Sequence, residues 1–106
     1  MDMDDMYNRN LLKETIDILR EYNKSLDDVK WFGWSDGYIP LERIKEILNV
    51  KYYSGFGVVE ISPTLIICGE DWWLERNEYD GAEWWEYKEQ PTKPKQQVIN
   101  FNIKTG

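Results

Sequence analysis

The chain has 106 residues, of which 42% are hydrophobic and 15% aromatic, and its formal net charge is −7. This length fits one domain with its own core. Histidine is absent, which removes the commonest general base and the commonest metal ligand together. We therefore expect no enzymatic activity, no cofactor and no metal site.

The charge is unevenly distributed along the chain. Residues 60–90 contain nine acidic and two basic residues, whereas residues 91–106 contain three lysines and no acidic residue. Contacts with nucleic-acid phosphates or anionic lipids need clustered Lys and Arg, so we expect neither direct nucleic-acid binding nor membrane binding. A basic protein or nucleoprotein surface is the favoured partner.

The single cysteine, Cys68, follows the apolar residues 65–67. This position is typical of a small buried side chain. An intrachain disulfide is excluded, and the sequence contains neither a signal peptide nor an apolar run near 20 residues. These features favour a cytoplasmic location.

Two segments have the apolar spacing of amphipathic helices. Leucine and isoleucine recur every three or four positions within residues 6–23, and Asp4 and Asp5 suit the start of such a helix. A second helix is predicted to begin at Pro40 and to end at Asn49. Both helices should pack an apolar face against the rest of the domain.

Shorter apolar segments predict strands between and after these helices. Residues 29–34 predict a brief strand that ends in a turn at residues 35–37, Ser-Asp-Gly. Further strands are predicted at residues 58–62, which follow the glycine-flanked Phe56, and at residues 65–68. Apolar residues stand at both odd and even positions of these two strands, and therefore on both of their faces. We predict that both strands are central and covered on both faces.

The most informative segment is a predicted β-hairpin at residues 71–88. Asp80-Gly81 between two β-prone runs is a strong signal for a two-residue turn. In that register Tyr79 faces Ala82, and directly opposed residues share one face of the sheet. One face then carries Trp72, Leu74, Arg76, Glu78, Glu83, Trp85 and Tyr87. The other carries Trp73, Glu75, Asn77, Tyr79, Ala82, Trp84, Glu86 and Lys88.

These two faces predict different environments. The face with Trp85 should pack on the helices, and Arg76 lies opposite Trp85 in position for a cation–π contact. On the other face, Glu75 opposes Glu86, and this like-charge pair favours solvent or a cationic partner. The residues predicted to bind a partner are Trp73, Glu75, Glu78, Asp80, Glu83, Trp84 and Glu86.

Together these elements predict an α+β fold in which two helices pack on a small antiparallel β-sheet with a prominent C-terminal hairpin. Residues 1–90 form the single α+β domain. Residues 91–106 are a polar, proline-bearing linker followed by a short C-terminal edge strand or tail of the same domain, in which Ile99, Phe101 and Ile103 alternate with polar residues. The sequence leaves the oligomeric state open, including a dimer.

An enzymatic alternative rests on Glu86-Tyr87-Lys88, which has the E-x-K spacing of one nuclease superfamily. Asp71 or Glu75 could supply the second acidic residue that such metal sites use. The flanking tryptophan pairs are foreign to that chemistry, and the chain has no basic groove for a nucleic-acid substrate. Residues 77–81 also lack the alternating oxygen ligands of a calcium-binding EF-hand loop.

The segments YSGFG (53–57), LIICG (65–69) and WWLERNEYDGAEWWE (72–86) resemble small acidic proteins encoded by phages and prophages of Gram-positive bacteria. The resemblance covers roughly residues 29–94. It implies a phage-encoded inhibitor of a host defence nucleoprotein or nuclease, such as an anti-CRISPR protein, acting in the cytoplasm of the host cell. The alternative is a structural or accessory phage protein that self-associates through its aromatic hairpin.

Overall fold

The computed structural model describes residues 8–54 and 58–104. Within them are two α-helices, α1 and α2, two short 3₁₀ turns and seven strands, β1 to β7. In chain order the elements are β1 (Asn8–Asn10), α1 (Leu11–Glu21), a 3₁₀ turn (Leu26–Asp28), β2 (Trp31–Trp34), β3 (Gly37–Ile39), a 3₁₀ turn (Leu41–Arg43), α2 (Ile44–Leu48), β4 (Lys51–Tyr53), β5 (Ile66–Cys68), β6 (Trp72–Tyr79) and β7 (Ala82–Glu89).

The strands form two antiparallel sheets. Five of them lie in the order β3-β2-β5-β6-β7, and β1 pairs with β4 in a separate two-stranded ladder. The helices and the antiparallel pairing confirm the predicted α+β class, and the prominent C-terminal hairpin is present as β6 and β7.

The hairpin has the predicted register. Asp80 and Gly81 form the two-residue loop with φ of 51° and 86°, the left-handed conformations that a type I′ turn requires. Tyr79 pairs with Ala82, and the ladder continues to Trp72 opposite Glu89. A short local signal therefore fixes which side chains of sixteen paired residues share a face.

Helix α1 begins later than the sequence predicts. Asn10 caps it by accepting a hydrogen bond from the Lys13 backbone N–H, and residues 8–10 pair with β4. The predicted helix over 6–23 is therefore wrong at its first turn, and the proposed start at Asp4 and Asp5 lies outside the described residues. The second predicted helix is confirmed as the 3₁₀ turn and α2 between Pro40 and Asn49.

Helix α1 packs on the inner side of the hairpin. The Trp85 indole Nε1 donates to Thr15 Oγ1 at 2.9 Å, and Thr15 Oγ1 donates to the Leu11 carbonyl at 2.7 Å. Beyond the helix end, Tyr22 stacks on Tyr87 with ring centroids 3.9 Å apart. These contacts hold α1 against β7 near the middle of the helix and just past its C-terminal end.

The predicted strand at 58–62 is absent, which corrects the sequence interpretation. The Glu83 carboxylate accepts hydrogen bonds from the backbone N–H groups of Glu60 and Ile61 at 2.8 and 3.0 Å. A side chain therefore takes the donors that a neighbouring strand would use. The glycine-flanked Phe56 lies outside the described residues.

The prediction for residues 65–68 is confirmed in part. Strand β5 occupies the centre of the sheet, and Ile67 is fully buried. Its neighbours Ile66 and Cys68 are only half-buried on the opposite side, so the strand is covered on one face rather than on both.

The core lies between the inner side of the five-stranded sheet and the two helices. Residues 90–104 contain no helix or strand and have exposed side chains. Of the two alternatives for this segment, an edge strand or a tail, the described part is a tail outside the sheet. The buried core side chains are Leu11, Leu19, Val29, Phe32, Ile44, Leu48, Tyr52, Leu65, Ile67, Trp72, Leu74 and Trp85.

Candidate functional site: the outer face of the sheet

The five-stranded sheet has one side that no described helix covers, here called the outer face. The strand registers place one aromatic, polar and charged set on it. Every side chain in the set is half-buried or exposed. The set consists of Trp31, Tyr38, Ile66, Cys68, Trp73, Glu75, Asn77, Tyr79, Ala82, Trp84, Glu86 and Lys88.

Hydrogen bonds hold the carboxylates of the outer face beside its tryptophans. The Trp73 indole Nε1 donates to Glu75 Oε1 at 2.7 Å, and the Asn77 amide donates to Glu86 Oε1 at 2.8 Å. Lys88 Nζ lies 3.5 Å from the other oxygen of Glu86. Both carboxylates are therefore oriented in the free protein, which lowers the entropy cost of binding a cation there.

The electrostatics of the outer face favour negative charge. Glu75 and Glu86 oppose each other directly across the hairpin, as predicted. The hydrogen bond from Asn77 is the main reason why the pKa of Glu86 lies below its usual value, and Lys88 adds to the effect. Glu86 therefore remains ionised under mildly acidic conditions.

The structure brings together four of the seven predicted binding residues. Trp73, Glu75, Trp84 and Glu86 share the outer face, and 37% of Trp84 is exposed. Asp80 lies in the turn. Glu78 is exposed near the turn, and its pairing with Glu83 assigns it to the inner side of the hairpin.

Glu83 is the one predicted binding residue that is not available. It is only 4% exposed, and its Oε1 lies 3.1 Å from Nη2 of Arg76, whose exposure is 9%. The same carboxylate also holds the backbone of residues 60 and 61. The parity of the hairpin places Glu83 on the inner side, so grouping it with Trp73 and Trp84 was wrong.

Arg76 and Glu83 belong to a buried polar cluster that attaches the hairpin to the helix. The Arg76 guanidinium carbon lies 4.8 Å from the ring centroid of Trp85, which confirms the predicted cation–π contact. Arg76 also approaches Glu14 of α1 at 3.8 Å, and the Tyr52 hydroxyl donates to Glu14. Burial is the main cause that raises the pKa of Glu14 and of Tyr52.

Two aromatic residues of the outer face were missed by the sequence analysis. Strand β3 returns along β2 and places Tyr38 opposite Gly33, next to Trp31. Tyr38 is 77% exposed and Trp31 is 38% exposed. The turn signal at residues 35–37 could have indicated this second hairpin, because it is followed by the β-prone pair Tyr38 and Ile39.

The described residues contain no group of three or more Cys, Asp or Glu side chains placed to hold a metal ion. Burial raises the pKa of the Cys68 thiol, which therefore favours its protonated form. The arrangement of the outer face is suited to binding, with flat aromatic rings beside oriented carboxylates.

Comparison of the chain with protein-family models, with curated proteins and with solved structures found no match. No helix in residues 8–54 or 58–104 combines the length and the apolar character needed to cross a membrane.

Proposed function

We propose that this protein is a binding module that engages a basic surface of another protein through its outer face. The observation that carries the proposal is that oriented carboxylates lie beside solvent-accessible tryptophans on one hairpin, with Glu75 beside Trp73 and Glu86 beside Trp84. The resemblance to phage proteins supplies the context, which is inhibition of a host defence nucleoprotein or nuclease such as a CRISPR effector.

The two residue types contribute differently to such an interface. Trp84 offers a large flat ring with a third of its surface exposed, and buried aromatic anchors supply most of the binding energy in protein interfaces. The carboxylates of Glu75 and Glu86 attract and orient a lysine- or arginine-rich surface, which raises the association rate. A basic surface that normally binds nucleic acid fits both contributions.

The charge of the hairpin tip lies next to the outer face. Glu78 and Asp80 are exposed at the end of the hairpin and add to the negative charge of Glu75 and Glu86, against the single Lys88. Because Glu83 is neutralised by Arg76, it is excluded from the proposed interface.

The experiment is capture of partners from a Gram-positive host lysate by the immobilised protein, followed by binding kinetics on the purified partner. We expect a nucleic-acid-binding protein that is released by high salt and competed by DNA or RNA. Trp84→Ala should weaken the complex by about 2 kcal/mol, mainly through faster dissociation. The double variant Glu75→Lys/Glu86→Lys should slow association and reduce its salt dependence.

The matched control is Asp27→Lys/Glu42→Lys, which introduces the same charge change at exposed positions outside the outer face. It should bind as the parent does. If the control and Glu75→Lys/Glu86→Lys weaken binding equally, only net charge matters and the proposed interface is wrong.

A further inference from the structure

Strand β7 forms one edge of the five-stranded sheet. Tyr79 and Ala82 close the two-residue turn as a hydrogen-bonded pair, and such pairs alternate with non-hydrogen-bonded pairs along the hairpin. The backbone N–H and C=O groups of Trp85, Tyr87 and Glu89 therefore point away from β6. No described backbone group pairs with them. At Glu83 both outward backbone groups are already used: the N–H donates to Ser54 Oγ, and the C=O accepts a hydrogen bond from Ser54 Oγ. The open part of the edge therefore begins at Trp85.

A groove meets this open edge where it begins, at Trp84 and Trp85. Its volume is about 260 Å³, and one side of helix α1 and the hairpin line it. Ile18, Trp84 and Trp85 provide apolar surface, while Glu14, Asp17 and Glu21 provide carboxylates. An added strand on β7 would pass the groove at Trp85, with one of its faces turned towards α1.

The C-terminal segment of the chain has the pattern of such a strand. Residues 98–103 alternate apolar and polar side chains from Ile99 onwards, which is typical of a strand with one buried face. Ile99, Phe101 and Ile103 are 88%, 78% and 90% exposed. Several large apolar side chains exposed in one short segment indicate a surface that is covered in another state.

The linker before this segment favours an extended path. Pro91 and Pro94 fix their own φ and bias the residues before them towards extended conformations. Eight residues in such a conformation span roughly 25 Å. In the single chain residues 98–103 form no strand and make no backbone hydrogen bond to β7, and a linker of this length allows them to reach another copy.

Charge complementarity favours the C-terminal segment of this chain as the occupant. The C-terminal residues 91–106 carry three lysines and no acidic residue, whereas residues 60–90 carry a net charge of −7. Glu89 at the end of the open edge and Glu21 in the groove lie where the lysines of an incoming segment would pass. Opposite charges on the two parts of one chain suit reciprocal exchange, which closes as a symmetric dimer.

We infer that residues 98–103 of one copy add as an outer strand to the β7 edge of a second copy. The backbone of the incoming strand pairs with Trp85, Tyr87 and Glu89. Its side chains Ile99 and Phe101 enter the groove beside α1, and Asn100 and Asn102 face the other way.

The test uses the full chain and measures its mass by analytical ultracentrifugation over a range of concentrations, with amide hydrogen exchange on the same samples. We expect a concentration-dependent rise from 12.8 kDa to twice that mass, with slowed exchange at the Trp85 and Tyr87 amides. Ile99→Asp/Phe101→Asp should raise the dimer dissociation constant by at least about tenfold. Both side chains are exposed in the single chain, so its folding should be unaffected.

The control is Asn100→Asp/Asn102→Asp, which adds the same two charges on the opposite side of the segment and should leave dimerisation within about twofold of the parent. A monomer at every concentration overturns the inference; protected Trp85 and Tyr87 amides in that monomer would place the segment on its own chain. A dimer that Ile99→Asp/Phe101→Asp leaves intact also overturns it, because another surface would then join the copies.

Discussion

Glu83 and Glu86 lie three residues apart on strand β7, and the two sides of the sheet give their carboxylates different environments. Glu83 is buried against Arg76 and fixes the backbone of residues 60 and 61. Glu86 lies on the outer face, where a hydrogen bond from Asn77 keeps it ionised. Residue type alone does not distinguish a carboxylate that holds the fold together from one that is free to meet a partner.

The adjacent tryptophans of β7 repeat the contrast. Trp85 is 5% exposed and donates to Thr15, whereas Trp84 is 37% exposed on the outer face. The turn at Asp80 and Gly81 sets the register, and the register places these neighbouring tryptophans on opposite faces of the sheet. The inner side therefore supplies the packing contacts, whereas the outer face remains accessible to solvent.

The largest expected effect is the difference in stability between the Trp85→Ala and Trp84→Ala variants. Trp85→Ala leaves a cavity and removes a partner of both Arg76 and Thr15, so it should lower the free energy of unfolding by about 3–5 kcal/mol. Trp84→Ala should lower it by about 1 kcal/mol or less. Urea denaturation followed by circular dichroism measures both, and equal losses would erase the distinction between the faces.

The next largest effect concerns the carboxylates. Glu83→Gln leaves the buried Arg76 charge without its nearest counter-ion and should lower the free energy of unfolding by about 3 kcal/mol. The matched variant Glu86→Gln should leave the urea midpoint unchanged. Adding Arg76→Met to Glu83→Gln removes the uncompensated charge and should recover part of the loss. A Glu83→Gln protein as stable as the parent would show that the pair contributes nothing to the fold.

The turn at Asp80 and Gly81 sets the positions of both faces. A substitution in the turn should therefore lower the free energy of unfolding, but by less than the changes above. Gly81→Val forces a β-branched residue to a φ of 86°, which should lower the free energy of unfolding by about 1–2 kcal/mol. Gly37→Val is the control, because a Cβ at Gly37 has open space around it. If the two variants lose equal stability, the left-handed turn is not what sets the register.

The smallest effect is a dependence of the free energy of unfolding on pH, which arises from tyrosines on the inner side. Burial raises the pKa of Tyr52, and burial together with the hydrogen bond to Glu89 raises the pKa of Tyr87 to about 12. Above pH ~10 the unfolded chain loses phenolic protons that the folded chain keeps, so stability is full below that pH and falls above it. The fall should be shallow, because solvent screens the half-buried Tyr87 phenol.

Urea midpoints from pH 8 to 11 measure this fall, and phenolate absorbance gives the titration directly. Tyr87→Phe should flatten the fall, since it removes one of the shifted groups. Stability that is constant up to pH 11 in the parent would contradict the assignment of these phenols to the packed side.

The hairpin could be predicted from the sequence because its information is local. The turn residues Asp80 and Gly81 fix the pairing, and the pairing fixes the faces. The contact between Arg76 and Trp85 followed from the same register. The α+β class followed from apolar spacing alone.

The errors arose where distant residues override local pattern. Residues 8–10 pair with β4, some forty positions away, so the helical spacing that continues through them does not decide their conformation. Glu83 reaches back to bond the backbone of Glu60 and Ile61, so the apolar run at 58–62 does not become a strand. The position of Glu83 itself was implied by parity, and only its grouping with the outer tryptophans was mistaken.

The bond between Thr15 and Trp85 joins residues 70 positions apart, and this separation has a consequence for how the chain is made. Helix α1 is synthesised before the hairpin, yet an eleven-residue helix is marginal in water without a packing partner. Its partner residue on strand β7 is synthesised 70 positions later. The domain therefore completes its folding only after the hairpin has left the exit tunnel, and the closure of so long a loop favours slow, late assembly over helix-first folding.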